Sequence, residues 1–105
     1  MADGILGVFD LAATTDTLVY TCPSAKIAFV SVNVVSRSGS QTIRIALSQN
    51  ASPALTDYIE YEFPIASGGI PLMREGIILK ATDRVYVRAS ATGVSVVMYG
   101  REQTA

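Results

Sequence analysis

The chain predicts an all-β fold, a single antiparallel β-sandwich or jelly-roll-like domain of about seven to eight strands. Three observations carry that reading. Short runs alternate apolar and polar residues from about Thr17 to Gly100. Each run is followed by turn chemistry, and no segment sustains a helical period. Closely spaced alternating runs of this kind build sandwiches and small barrels.

Residues 1–16 read as an extended amino-terminal arm. Gly4 and Gly7 bracket Ile5 and Leu6, Phe9 follows, and Ala12 to Asp16 is small and polar. Residues 17–102 read as the sandwich. A short strand runs from Thr17 to Cys22 and stops at Pro23-Ser24. Lys26 to Ser36 is the longest strand, with Ala28, Val30, Val32 and Val34 on one face and Ile27, Phe29, Ser31 and Asn33 on the other. Its beginning is apolar on both faces, the pattern of a central strand covered twice.

Arg37 to Ser40 is a turn of Gly and Ser type. In Gln41 to Ser48, Ile43, Ile45 and Leu47 point one way and Thr42, Arg44 and Ser48 the other. Gln49 to Leu55 is a loop. Strict alternation in Asp57 to Phe63 turns Ile59, Tyr61 and Phe63 inward and Tyr58, Glu60 and Glu62 outward. Pro64 to Pro71, with Gly68-Gly69, is a second loop, and Gly76 to Ala81 a short strand. Arg84 to Ala89 turns Val85 and Val87 inward and Arg84, Tyr86 and Arg88 outward. Thr92-Gly93 leads into Val94 to Tyr99, and residues 103–105 read as a polar tail. The links among the last three strands are short enough for a meander.

Composition narrows the function. The chain has 105 residues, half of them hydrophobic and only 16% charged. Soluble domains carry about 25% charge, so part of this surface is expected to be buried against other subunits. A net charge of -1 gives no electrostatic case for nucleic acid. It also gives little repulsion between copies. No apolar run approaches the length of about 18 residues that spans a bilayer, and residues 1–10 lack the basic start of a secretory signal. A protein made in the cytoplasm, with no membrane partner, is expected.

The inventory of reactive side chains is thin. There is no histidine and no tryptophan, and Cys22 is the one cysteine. Cys22 has no histidine to act as its base, so an inert thiol is expected. Metal binding would be left to oxygen ligands, and Asp3, Asp10 and Asp16 lack calcium-loop spacing. No metal and no cofactor is expected. Glu60 and Glu62 lie two apart on one strand, about 7 Å between Cα atoms, a spacing compatible with paired carboxylates acting on a sugar. The plainer reading is an outer face on which they pair with Arg84 and Arg88. Tyr58 and Tyr86 beside those charges suit three roles: cover for their own sheet, a protein interface, or a sugar platform. The candidate interface residues are therefore Ile5, Leu6, Phe9, Tyr58, Glu60, Glu62, Arg84, Tyr86 and Arg88.

Several segments carry a family resemblance. They are Ile45-Ala46-Leu47-Ser48, Ser52-Pro53-Ala54 and Asp57-Tyr58-Ile59-Glu60-Tyr61, then Gly76-Ile77-Ile78-Leu79, Asp83 to Ser90, and Val94 to Tyr99 with Gly100-Arg101-Glu102. Together they resemble small all-β structural proteins of tailed-bacteriophage virions, over about Thr17 to Glu102. The resemblance implies a non-enzymatic subunit of capsid, collar or tail that decorates or cements a lattice. It implies a homo-oligomer, most simply a trimer, bound to other virion proteins and located in the virion. It carries no catalytic signature. The alternative expectation is a carbohydrate-binding β-sandwich for host attachment.

Overall fold

A computed structural model describes residues 3–68 and 70–105. Met1 and Ala2 of the expected arm, and Gly69 of the Gly68-Gly69 turn, lie outside the described residues. Eight strands form: β1 (Asp3–Asp10), β2 (Thr17–Thr21), β3 (Lys26–Ser36), β4 (Gln41–Ser48), β5 (Tyr58–Ile65), β6 (Leu72–Leu79), β7 (Arg84–Ala89) and β8 (Val94–Thr104). A single 3-10 turn, Leu55–Asp57, precedes β5.

The strands make two antiparallel four-stranded sheets. Sheet I has the order β1-β8-β3-β6 and sheet II the order β2-β7-β4-β5. Strand 1 pairs with 8, 2 with 7, 3 with 6 and 4 with 5. The chain is thus one long antiparallel hairpin rolled into two sheets, which is the jelly-roll arrangement. Rolling also brings β3 against β8 and β4 against β7. The expected sandwich is present, but the last three strands form no meander. The links 80–83 and 90–93 carry the chain from sheet to sheet.

The core lies between the sheets. Val30, Val32 and Val34 of β3, with Val96 and Met98 of the neighbouring β8, face Ile43 and Ile45 of β4 and Val85 and Val87 of β7 in one buried cluster. β-branched side chains fit this pleated interior and lose little rotamer freedom there. The inward sets read for β3 and β7 are buried, as are Ile43 and Ile45 of β4, while Leu47 is partly buried against the core.

Several boundaries differ from the sequence reading; Pro64 and Ile65, read as loop, belong to β5. Residues 3–10 are not an arm but an edge strand, hydrogen-bonded to β8 from Asp3↔Arg101 to Asp10↔Ser95. A bulge between Ile5 and Gly7 breaks their alternation and hides the strand from a period-2 search. Leu11, read into the same arm, is buried in the core. β6 begins at Leu72, four residues before the expected start, because a bulge between its Arg74 and Ile77 pairings takes Gly76 to a φ of 71°. Finally, the polar tail is largely strand: Gln103 and Thr104 pair with Ile27 and Lys26.

All four edge strands are interrupted. β1, β2, β5 and β6 each show a register shift against their only neighbour. The inner pairs β3–β8 and β4–β7 run unbroken, over eleven and six residues. Bulged edges resist pairing with strands of another chain.

Candidate functional site

Two surfaces draw on the residues singled out in the sequence. The first is the outer face of sheet II. Directly opposed residues share a face, so the outer positions are traced by Tyr86↔Ala46 and Ala46↔Tyr58, and by Arg88↔Arg44. Ala46 and Tyr86 are both buried, yet neither belongs to the inter-sheet core. The Tyr86 hydroxyl donates to the Asn50 carbonyl oxygen at 2.7 Å. Tyr86 therefore points outward, as expected, but is only 4% exposed and covers its own sheet. It is not free to meet a partner.

Beside it lies a polar ladder. Arg44 and Arg88 stand opposite one another on β4 and β7. Glu62 of β5 pairs with the Arg44 guanidinium, and Asp16 lies 3.9 Å from that of Arg88. Two like charges facing across a ladder repel, and the flanking carboxylates offset them. The Tyr58 hydroxyl donates to Asp16 at 3.0 Å. Tyr58 meets Tyr61 edge to face at 5.3 Å, and the Arg44 guanidinium lies 4.3 Å from the Tyr61 ring centroid. The hydrogen bond from Arg44, then one from Thr42, holds the Glu62 carboxyl below its ordinary range. Burial, then the Asp16 hydrogen bond, pushes the Tyr58 phenol up. A groove of about 90 Å³ runs here between Thr14, Thr42, Arg44, Glu62, Arg88 and Ser90.

β5 corrects the sequence reading most. Two register shifts interrupt it, and Glu62 takes a φ of 55°. Glu60 now lies opposite the inward Ile45, while Glu62 meets the outward Arg44. The two glutamates do not share a face, so the paired-carboxylate arrangement on one surface is absent. Ile59 and Tyr61, expected inside, are exposed. Nor do the glutamates pair with Arg84 and Arg88 as expected. Glu60 binds Arg74 of β6, and among the described residues Arg84 forms no ion pair.

Arg74 was not singled out in the sequence. It lies opposite the inward Val32 at the edge of sheet I, so its bond to Glu60 spans the gap between the sheets. It also lies 5.7 Å from the Phe63 ring centroid. The opposite flank has its own clasp, Tyr20 of β2 with Glu102 of β8.

The second surface is the outer face of sheet I. Val8 opposes Val97 and Ile5 opposes Tyr99. Val97 opposes Asn33, and Arg101 opposes Phe29. Phe29 opposes Ile78, and Asn33 opposes Met73. The result is a face rich in apolar side chains and crossed by Ser31, Asn33, Ser95 and Arg101, on which Ile5, Val8 and Ile78 are 71%, 64% and 65% exposed. Phe29, Val35 and Met73 are exposed beside them. Of the three candidates on β1, Ile5 belongs to this face, whereas Leu6 and Phe9 pack against the core.

Cys22 is buried and free. Burial, then Glu102 and Asp83, raises its thiol pKa, which leaves little nucleophilic thiolate at neutral pH. Among the described residues no three His, Cys, Asp or Glu side chains gather as metal ligands. Nor is any helix long and apolar enough to cross a membrane.

Compared with protein-family models, with curated proteins and with solved structures, the chain matches none.

Proposed function

We propose that this chain is a non-enzymatic structural subunit of a tailed-bacteriophage virion, which associates with itself and binds the capsid or tail lattice. The observation that carries the reading is the open apolar face of sheet I. Ile5, Val8, Phe29, Val35, Met73 and Ile78 are all exposed on it, and clustered exposed apolar side chains mark interaction sites. The segment resemblance to small virion proteins adds to it, and jelly rolls are common in viral shells. Fold alone assigns no function, so the weight rests on the surface.

The test is particle composition. Virions purified from a culture carrying the gene are expected to contain the protein after gradient banding, by mass spectrometry. Its absence from intact particles would remove the proposal.

The polar and aromatic ladder on sheet II favours a second reading, attachment to a glycan. Jelly rolls also serve as lectin domains, and Tyr61 is exposed next to Arg44 and Glu62. The Arg44 guanidinium, however, already occupies one side of that ring. A glycan-array screen is expected to find no ligand; a hit abolished by Tyr61→Ala would favour this reading over the first.

A further inference from the structure

We infer that the outer face of sheet I is a self-complementary contact, taking the same face of a second copy of this chain by sheet-on-sheet stacking. The inference rests on the reading of the protein as an assembling subunit and names the surface that assembles.

Four observations lead to it. First, the beginning of β3 is apolar on both sides, as in a strand covered twice, yet this chain covers it once. Val30, Val32 and Val34 are buried, while Phe29 and Val35 on the other side are exposed. Second, the edges are closed to growth: each edge strand is bulged, so association through added strands is disfavoured. The faces remain. The face of sheet II is occupied by its own ladder and by buried Tyr86, which leaves the face of sheet I.

Third, its size suffices. Four strands about 4.8 Å apart and about eight residues long at about 3.3 Å per residue give a footprint of about 500 Å² per copy. Two such footprints total about 1,000 Å², the lower bound for a specific interface. Fourth, its charges are suited to a copy of itself. Asp3 and Arg101 form an ion pair of 3.6 Å at one end of the face, and Asp10 pairs with Arg37 at the other. Each end holds one acid and one base already paired with each other, so neither end carries a net charge that would repel a second copy. Glu75 sits in the β6 bulge opposite Ser31, at the margin of the face. A partner of strong net charge would gain nothing from these balanced ends; a second copy loses nothing.

A face that matches itself requires a two-fold axis. The smallest closed unit is then a dimer, and a trimer built through another surface would be doubled to a hexamer.

Sedimentation equilibrium on the full chain over a wide concentration range tests this. The expected mass is an even multiple of the chain mass. Ile5→Lys and Ile78→Lys, at opposite margins of the face, are each expected to weaken the even-numbered species at least ~30-fold, the size of a hot-spot loss. Both side chains face solvent in the single chain, and cooperative urea unfolding checks that the variants fold. If a lysine variant fails to fold, Val8→Thr and Ile78→Thr keep the β-branched shape and carry the same expectation in weaker form. Tyr61→Lys on sheet II is expected to leave the mass unchanged. A monomer or a trimer at every concentration overturns the inference, as does an even-numbered species insensitive to the sheet I variants but lost in Tyr61→Lys. Presence of the protein in virions alongside such a result would reject this face while leaving the structural role standing.

Discussion

The Tyr20 hydroxyl donates to the Glu102 carboxylate across 82 residues of sequence. Tyr20 lies opposite the inward Val85 on sheet II, and Glu102 opposite the inward Ala28 on sheet I. The bond therefore joins the two sheets on the flank bounded by β1 and β2. Tyr20→Phe deletes the donor and leaves a partly buried carboxylate short of a partner, a loss of about 1–3 kcal/mol. Replacing both partners by apolar residues, as in Tyr20→Phe with Glu102→Leu, is expected to cost less than the sum of the single changes. Urea unfolding of the four proteins in this cycle measures it.

The same pair sets an alkaline limit. Burial, and then the Glu102 hydrogen bond, hold the Tyr20 phenol above its ordinary value of 10.0. The protonated phenol is favoured in the folded state. Its contribution is fully present below about pH 10 and is lost as pH rises through the higher folded value. Stability followed from pH 8 upward should fall less steeply in Tyr20→Phe than in the parent.

Arg74 and Glu60 clasp the other flank, between edge strands β5 and β6. The Glu60 side chain is 16% exposed and that of Arg74 37%, so solvent screens part of the attraction. Glu60→Ala is expected to cost about 1–2 kcal/mol, and Glu60→Gln less, since an amide still accepts a hydrogen bond. Thermal unfolding of the two variants against the parent gives the comparison.

On the outer face of sheet II, Glu62 offsets two opposed arginines. Its depressed pKa means that its contribution is present above the unfolded carboxylate value, near about 4.3, and is lost as pH falls through the lower folded value. Glu62→Gln should flatten the acid limb of the stability curve. It should also leave Arg44 and Arg88 facing one another less compensated, so a second change, Arg88→Gln, is expected to restore part of the loss. No recovery in the double variant would show that the two arginines do not repel measurably.

Gly100 meets a harder constraint. It sits in β8 with a φ of 150°, and an added Cβ would lie 2.0 Å from the Phe29 carbonyl oxygen and 2.8 Å from the Val30 Cα. Both obstacles are backbone in the central strand of sheet I and have nowhere to move. Gly100→Ala is expected to cost more than about 3 kcal/mol, among the large single-site effects. Gly39→Ala, also at positive φ but with open space around its Cβ, should cost about 1 kcal/mol. Circular dichroism melts of the two proteins separate backbone strain from collision.

How far the sequence could be read follows from where its period held. In β3, β4 and β7 strict alternation marks the inward faces, and those residues are buried except Leu47, which is partly so. The sandwich class came from the same signal. In β1, β5 and β6 bulges shift the period by a residue, so strict alternation reads β1 as an arm, β6 as a shorter strand, and β5 with Glu60 and Tyr61 on the wrong faces. Positive φ at a glutamate such as Glu62 leaves no compositional trace. The two clasps were missed for a related reason. Tyr20 and Glu102, like Glu60 and Arg74, become neighbours only once the sheets are stacked. Of the nine interface candidates, Ile5 lies on the open face of sheet I. Phe29, Val35, Met73 and Ile78 also line it; the start of β3, apolar on both sides, reads as an interior strand, which conceals Phe29.

The pairing of β1 with β8 has a consequence for synthesis. β1 pairs only with β8, residues 94–104, the strand farthest from it along this sequence. Until those residues emerge, β1 has no sheet to join, and both neighbours of the central β3 (β6 and β8) arrive later in the chain. Pairings this remote in sequence slow folding, because loop closure precedes any gain in contacts. The nascent chain therefore waits with valine-rich strands uncovered, a period in which chaperone capture competes with aggregation.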